Sequence, residues 1–167
     1  EGFNVTDISD EMKPILCLEE SIRKRPVFVL RIRYGDMEIL QNDSRKVLVT
    51  LKNHDNNFLF ERYFRHYQGE KAVISKLKKL GLAEVQGGFE LQGISMMIEE
   101  DALYSMVSWM SANMESLMES GIQLRQEHYP RKFFTGSARV SFDVKQTNDW
   151  FDLHAMVWFG EFRFPFL

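Results

Sequence analysis

Two runs near the end of the chain alternate between apolar and polar residues, and this alternation constrains the fold more than any other feature. The runs cover residues 138–145 and 151–159, and a short polar stretch at 146–149 separates them. Successive side chains of a β-strand point to opposite faces of the sheet, so each run predicts a strand with one apolar face. Because Gly160 can turn the chain again into the segment 162–166, the pattern predicts a β-meander.

A second antiparallel sheet is predicted in the first third of the chain. Residues 15–18 form a short apolar run, and residues 27–34 alternate so that one face is apolar and the other carries arginines. A Gly-Asp pair at 35–36 is typical of a turn, so residues 37–40 are expected to return as the next strand. Residues 47–51 add a further strand to this sheet.

Two helices are predicted between these strand regions. Residues 69–80 and 99–119 carry apolar residues at helical spacing, and the second helix could be broken near 111–113. Gly81 and Gly121 are placed to adopt the left-handed conformation that ends a helix. The positions expected to face the core are Glu70, Val73, Ile74, Leu77 and Leu80 in the first helix and Leu103, Val107, Met110, Met114 and Leu117 in the second. The sequence therefore predicts an α+β fold whose second helix covers an apolar sheet face.

The charge balance does not favour a strongly basic nucleic-acid-binding domain. Lys and Arg number 21 against 24 Asp and Glu, which gives a formal net charge of −3. Cys17 is the only cysteine, so an internal disulfide is impossible, as is typical of a reducing compartment. The sequence shows neither a signal peptide nor an apolar run of about 20 residues. We expect a cytoplasmic protein without a membrane partner.

The patterns of common catalytic sites are incomplete. The glycines at 87, 88 and 93 lack the lysine that follows the glycines of a phosphate-binding loop. No histidine has a second histidine four residues away, and no cysteine pair is present for zinc. Cys17 lies in an apolar run and is expected to be buried rather than nucleophilic. Asp152 and His154 share one face of a predicted strand, which leaves open an acid–base or metal pair beside the alternative of an ordinary polar face.

Two further patterns permit binding functions. A methionine stripe on the second helix could be an adaptable interaction surface or ordinary core packing, and it consists of Met106, Met110, Met114 and Met118. Phosphate contact requires clustered cations, and three clusters offer them. These candidate nucleic-acid contacts are Arg23, Lys24 and Arg25, then Lys76, Lys78 and Lys79, then Arg131 and Lys132. The alternative for all three clusters is a solvated surface.

One segment is more specific than these patterns, because it resembles the signature of a known family. The matching residues are Asp149, Trp150, Phe151, Asp152 and Leu153, then Phe159 and Gly160, then Pro165 and Phe166. They are similar to the Asp-Trp-Phe-Asp-Leu, Phe-Gly and Pro-Leu elements of an accessory domain that precedes the motor of bacterial Swi/Snf-type (Snf-two) helicase-like ATPases. Phe166 replaces the usual leucine. The signature residues are expected to be structural.

The resemblance implies a parent protein that is an ATP-driven DNA translocase. Its ATP- and magnesium-handling residues would lie in the motor beyond Leu167, so we expect no cofactor, metal or catalytic residue in this chain. Residues 1–26 are expected to form a lead-in segment with a short strand. Residues 27–167 would form one accessory domain, truncated at its C-terminal end where the apolar segment 162–167 stops in mid-pattern.

Three functions are consistent with the sequence. The first is a non-catalytic docking, regulatory or DNA-guiding domain whose partners are the helicase-like motor of the same polypeptide and DNA. The second is a protein–protein interaction domain unrelated to DNA. The third is a small hydrolase that uses Asp152 and His154, and the incomplete catalytic patterns make it the least favoured.

We predict that the purified chain does not hydrolyse ATP, because its sequence lacks the phosphate-binding loop and the magnesium ligands that hydrolysis requires. Phosphate release, measured with and without DNA, should equal the rate in buffer alone. Reproducible turnover in a preparation shown to contain no contaminating ATPase would contradict this prediction.

Overall fold

A computed structural model describes residues 3–9, 11–54, 57–126, 138–147, 150–159 and 162–165. Within these ranges the chain forms twelve β-strands, two α-helices and one 3-10 turn. The strands lie in three sheets, and most of their pairings are antiparallel. The predicted α+β fold is confirmed.

The largest sheet carries the main core. Its strands are β2 (Lys13–Glu20), β3 (Pro26–Tyr34), β4 (Met37–Leu40), β7 (Leu82–Val85), β8 (Gly88–Leu91) and β9 (Gln123–Arg125). They follow the order β7-β8-β3-β2-β9, and β4 pairs with β3. All pairings are antiparallel except that of β9, which runs parallel to β2. Because β2 lies between β3 and β9, part of the predicted lead-in segment belongs to the central sheet.

The alternation of β3 explains where the helices pack. Phe28, Leu30, Ile32 and Tyr34 share one face, and each is at most 1% exposed. Helix α1 (Tyr67–Lys79) lies beside β7, and helix α2 (Glu99–Glu119) packs against β3, β8 and β9. The predicted packing of the second helix on an apolar sheet face is therefore confirmed.

Helix α2 is continuous, so the predicted possibility of a break near 111–113 is wrong. Met110 and Leu117, which flank this stretch, are both fully buried. The Asn113 side chain donates a hydrogen bond of 2.8 Å to the carbonyl of Trp109 one turn earlier, so this polar residue does not compete with the helix. Core packing on both sides keeps the intervening turn helical. Gly121 has a φ of 73° and ends the helix as predicted.

The second sheet contains two strands that the alternation did not reveal. Its strands are β1 (Phe3–Ile8), β5 (Val47–His54) and β6 (Asn57–Phe64). They follow the order β1-β6-β5, in which β1 is parallel and β5 antiparallel to β6. The predicted strand at 47–51 is therefore present, but its placement in the sheet of residues 27–40 is wrong, because β5 pairs with β6. Consecutive aromatic and charged residues break the alternation of β6, so the sequence pattern does not predict this strand. Leu48 and Tyr63, which are Cα partners, bury one face of this sheet against the core.

The third sheet is the predicted β-meander. Its strands are β10 (Ala138–Thr147), β11 (Trp150–Phe159) and β12 (Phe162–Pro165), paired antiparallel in that order. The apolar face of β10 is nevertheless exposed, because Val140, Phe142 and Val144 are 48–65% accessible. Ala155, the partner of Phe142 on β11, is only 1% exposed. Alternation thus predicted the strands correctly but not the burial of β10.

Within the described part of the chain, neither α1 nor α2 is long and apolar enough to cross a bilayer.

We predict that Leu77→Ala lowers the free energy of unfolding by about 2–5 kcal/mol, because Leu77 is fully buried on the core face of α1. Urea titration followed by circular dichroism measures this change. Ser75→Ala is the matched control on the exposed side of the same helix and should change stability by less than about 0.5 kcal/mol. Equal effects of the two substitutions would show that the helix faces are assigned wrongly.

Candidate functional site

Two of the three predicted basic clusters lie at the same end of the six-stranded sheet. The turn from β2 to β3 carries the first cluster, residues 23–25. Strand β8 is antiparallel to β3 and therefore ends at this same edge, where the Gln92 amide donates to the Gly81 carbonyl at 3.4 Å. Gly81 lies two residues after Lys79, the last residue of α1. This helix carries the second cluster, residues 76–79. The first cluster adjoins β3 and the second adjoins β7. These two strands are two strand spacings apart, on the order of 10 Å.

The Arg25 side chain, a predicted phosphate contact, hydrogen-bonds to two backbone carbonyls. Its Nη2 donates to the carbonyl of Ile94 at 2.9 Å, and its Nη1 donates to the carbonyl of Met97 at 3.2 Å. The side chain thereby fastens the β2–β3 turn to the 3-10 turn Ile94–Met96. Lys24 in the same turn has a φ of 59°, a conformation that lysine seldom adopts.

Few cations remain available at this end of the sheet. Lys78 forms an ion pair of 2.7 Å with Glu84. Among the described residues, no ion pair engages Arg23, Lys24, Lys76 or Lys79. The acidic first turn of α2 begins just after the 3-10 turn and lies at the same end. The local charge is therefore mixed, which limits phosphate contact to a few cations.

The remaining cluster and part of the family signature lie outside the described residues. These positions are Arg131, Lys132, Asp149, Gly160 and Phe166. Trp150, Phe151 and Asp152 begin β11, and Pro165 ends β12. The Cα pairs Thr147–Trp150 and Phe159–Phe162 close the two hairpins of the meander, so Trp150 and Phe159 lie at hairpin ends. Pro165 instead pairs with Met156 at the far end of β12.

Three exposed apolar side chains lie near the hydrogen bonds that Arg25 donates. Ile22 is fully exposed, Met96 is 96% exposed and Ile98 is 68% exposed. The hydrogen bonds of Arg25 hold the two turns that carry these residues side by side. The β2–β3 turn therefore presents apolar as well as basic side chains to solvent.

A buried ion pair fixes the start of α1 and was not found by sequence reasoning. The side chains of Arg65 and Glu70 are 2% and 6% exposed, and Arg65 Nε donates to Glu70 Oε1 at 2.9 Å. The Tyr34 hydroxyl donates to the same oxygen at 2.7 Å and accepts the His66 amide at 2.8 Å. Helical spacing placed Glu70 on the core face of α1, and that position was the available signal for a buried partner.

Protonation equilibria around this ion pair follow from its contacts. Burial raises the pKa of Glu70, but the hydrogen bonds from Arg65 and Tyr34 together with the Arg65 charge outweigh it, so this pKa lies below its ordinary value. Burial raises the pKa of Tyr34 to about 12, assisted by the neighbouring Glu70. Tyr34 is therefore neutral and Glu70 ionised at neutral pH, and the group is suited to holding structure rather than transferring protons.

A second charged group links strands β3, β4 and β9 of the central sheet. Glu38 on β4 accepts hydrogen bonds from Arg125 on β9 at 2.8 and 2.9 Å and from Arg33 on β3 at 3.0 Å. The hydrogen bonds from Arg125 contribute most to lowering the pKa of Glu38, burial opposes them, and Arg33 adds to them, so the pKa falls to about 2. The Glu38–Arg125 pair connects β9 to β4, which lies more than 80 residues earlier in the chain.

The structure places the candidate catalytic residues as follows. Cys17 is fully buried, as predicted. Asp152 and His154 occupy alternate positions of β11, and their side chains lie outside the description. Among the described residues, no three His, Cys, Asp or Glu side chains are grouped so that they could hold a metal ion.

The methionine stripe divides between core and surface. Met106 and Met110 are fully buried, as the core interpretation predicts. Met114 is half-buried, and Met118 is 63% exposed. The core interpretation is confirmed for Met106 and Met110, and the interaction-surface alternative stays a prediction.

Comparisons of the chain with protein-family models, with curated proteins and with solved structures found no match.

We predict that Glu38 contributes stability that depends on pH. Its pKa is about 2 in the folded state and about 4.3 in an unfolded chain, so its contribution is fully present above pH 4.3 and is lost as the pH falls through 2. The difference in unfolding free energy between the wild type and Glu38→Gln should therefore shrink by roughly half between pH 7 and pH 3. Urea titrations at both pH values measure it, and a difference that stays constant would contradict the charged role of Glu38.

Proposed function

We propose that this chain is a non-catalytic accessory domain of a bacterial Swi/Snf-type helicase-like, DNA-dependent ATPase whose motor lies C-terminal to it. The observation that carries this proposal is the resemblance of residues 149–166 to the family signature. The strand registers are consistent with it, because the signature residues Trp150 and Phe159 belong to the Cα pairs that close two consecutive hairpins. Such positions suit residues that shape a meander.

The chemistry of the proposed domain is binding and positioning. ATP and magnesium would be handled by the motor, whereas this domain would dock on the motor, regulate it or guide DNA to it. The central sheet offers a rigid support for this role, because two helices and several inter-strand ion pairs fix it. A rigid support allows contacts at its edges to be presented in a constant geometry.

A DNA-guiding role would use the cations that lie at one end of the central sheet. Arg23, Lys24, Lys76 and Lys79 could contact phosphates of one backbone, since strand spacing places the clusters on the order of 10 Å apart. The acidic first turn of α2 at the same end would weaken this contact. The proposed interaction is therefore weak and independent of sequence, because phosphates carry no base information.

A protein–protein interaction domain unrelated to DNA is the second candidate. The outer face of the β1-β6-β5 sheet favours it, since this face exposes several apolar side chains around the Arg62–Asp7 ion pair although the opposite face packs on the core. Exposed apolar patches commonly mark sites of protein association. The residues of this face that are 37–56% exposed are Val5, Val49, Leu51, Phe58 and Phe64.

We predict weak DNA binding whose affinity falls steeply with salt. Each phosphate contact contributes a slope of about −0.9 to the plot of log affinity against log salt, so replacing Arg23, Lys24, Lys76 and Lys79 with glutamine should flatten the slope by up to about four contacts. Fluorescence anisotropy with unrelated duplexes of equal length measures the slope and the sequence dependence. Lys13→Gln is the control, because Lys13 begins β2 at the opposite end of the sheet.

Two outcomes separate the candidate functions. Binding that discriminates between sequences and ignores salt would contradict the phosphate-contact model. Absence of binding even at low salt would exclude DNA guidance by this chain alone, and mixing it with the polypeptide that follows it in the parent protein then tests docking. Failure to form that complex as well would remove support from the accessory-domain proposal.

A further inference from the structure

Strand β5 presents an open edge of the β1-β6-β5 sheet. Within the described ranges its strand partner is β6 alone, and no other backbone hydrogen bond engages residues 47–53. Alternate amides and carbonyls along the other side of the strand are therefore unpaired in the single chain. A row of such groups is a template for another strand, because an extended backbone satisfies all of them at once.

The other edge strands that the structure describes are protected against such pairing. Strands β4, β7, β9 and β12 have only three or four residues. Strand β10 is long but carries the charged residues Arg139, Asp143 and Lys145, and β1 carries Asp7. Short length and charged side chains are common protections of an exposed edge.

Strand β5 lacks both protections. It has eight residues, contains neither proline nor glycine, and has Lys52 as its only Lys, Arg, Asp or Glu. Lys52 pairs with Glu61 on the neighbouring strand β6, with its Nζ 2.9 Å from Glu61 Oε2. The charge of Lys52 is therefore compensated within the chain and does not repel another strand.

The two faces of the sheet limit the ways in which β5 can pair with β5 of a second copy. Residues that lie directly opposite each other in adjacent antiparallel strands point to the same face. Val49 and Leu51 must therefore stay on the outer face in both copies, so the two-fold axis passes through a residue rather than between two residues. The residues at the middle of the strand are Thr50 and Leu51.

A two-fold axis at Thr50 gives the better match of side chains. It places Val49 of each copy opposite Leu51 of the other, whereas an axis at Leu51 would place Val49 opposite the polar Asn53. Val49 and Leu51 are 49% and 53% exposed in the single chain, so their pairing removes apolar surface from water. Thr50 meets its own copy at the axis, and threonine pairs are favourable cross-strand neighbours.

We propose that the chain forms a two-fold dimer by antiparallel pairing of β5 with β5 of a second copy, centred on Thr50. The two three-stranded sheets then become one continuous sheet in the order β1-β6-β5-β5-β6-β1. The paired edges are small compared with the roughly 800 Å² per partner of a standard interface, so the dimer dissociates at low protein concentration. The proposal requires no DNA and does not depend on the accessory-domain proposal.

Disulfide trapping tests the register of the dimer. Residues paired at the axis have Cα atoms about 4.5–5.5 Å apart, within the range of a disulfide. Thr50→Cys should therefore form a covalent dimer with oxidised glutathione, and the buried Cys17 does not compete. Asn53→Cys is the matched control on the same strand, because its two copies would lie about 20 Å apart in this register. It should stay monomeric in non-reducing electrophoresis.

Charge substitutions test the same pairing without a new cysteine. Val49→Lys combined with Leu51→Lys places like charges opposite each other and should raise the dimer dissociation constant at least about tenfold in sedimentation velocity. Val49→Lys combined with Leu51→Glu removes the same apolar groups but pairs opposite charges. This variant should keep the dimer, which should then weaken with salt. Circular dichroism verifies that each variant is folded.

Three outcomes would overturn the proposal. The first is an unmodified chain that stays monomeric up to its highest soluble concentration. The second is cross-linking of Asn53→Cys as fast as that of Thr50→Cys, which would show random collision rather than a register. The third is a dimer that keeps its dissociation constant when Val49 and Leu51 are both replaced by lysine, since its interface would then lie elsewhere.

Discussion

The ion pair between Arg65 and Glu70 joins more elements than any other contact of the described chain. Arg65 follows β6, Glu70 lies in the first turn of α1, and the Tyr34 hydroxyl that completes the group comes from the end of β3. Arg65 also donates to the carbonyls of Asp43 and Arg45, between β4 and β5. Removing one partner of such a buried pair leaves an uncompensated charge, which is far more costly than replacing both. The junction of two sheets and a helix therefore depends on this group.

Sequence patterns predicted the helices and strands that are determined by residues close together in the chain. The two helices, the hairpin from β3 to β4 and the final meander follow from periodicity and turn residues within short windows. Strand β1 could not be found in this way, because its pairing with β6 is parallel and joins residues more than 50 positions apart. Strand β6 forms a local hairpin with β5, but its sequence does not alternate clearly. Alternation likewise indicates which side chains share a face but not whether another element covers it, and the exposed Val140, Phe142 and Val144 of β10 illustrate this limit.

For the candidate binding residues, the sequence likewise reveals the type of side chain but not its structural role. The sequence identified the basic clusters, but only the fold shows that Arg25 holds two turns together and that Lys78 pairs with Glu84. It also shows the acidic first turn of α2 beside the remaining cations. The negative charges of α2 thus have two different settings: at the N-terminus the helix dipole favours them, whereas at the C-terminus it opposes them. The second setting has no stabilising explanation within the helix itself.

The parallel pairing of β9 with β2 has a consequence for synthesis on the ribosome. Strand β2 emerges early and pairs with β3 at once, but its other edge stays open until β9 emerges more than 100 residues later. During that interval the nascent sheet exposes unpaired amides and carbonyls beside an apolar strand, a recognised hazard for association between chains. Chaperone protection is therefore most valuable while the ribosome translates α1 and α2, before the closing strand is available.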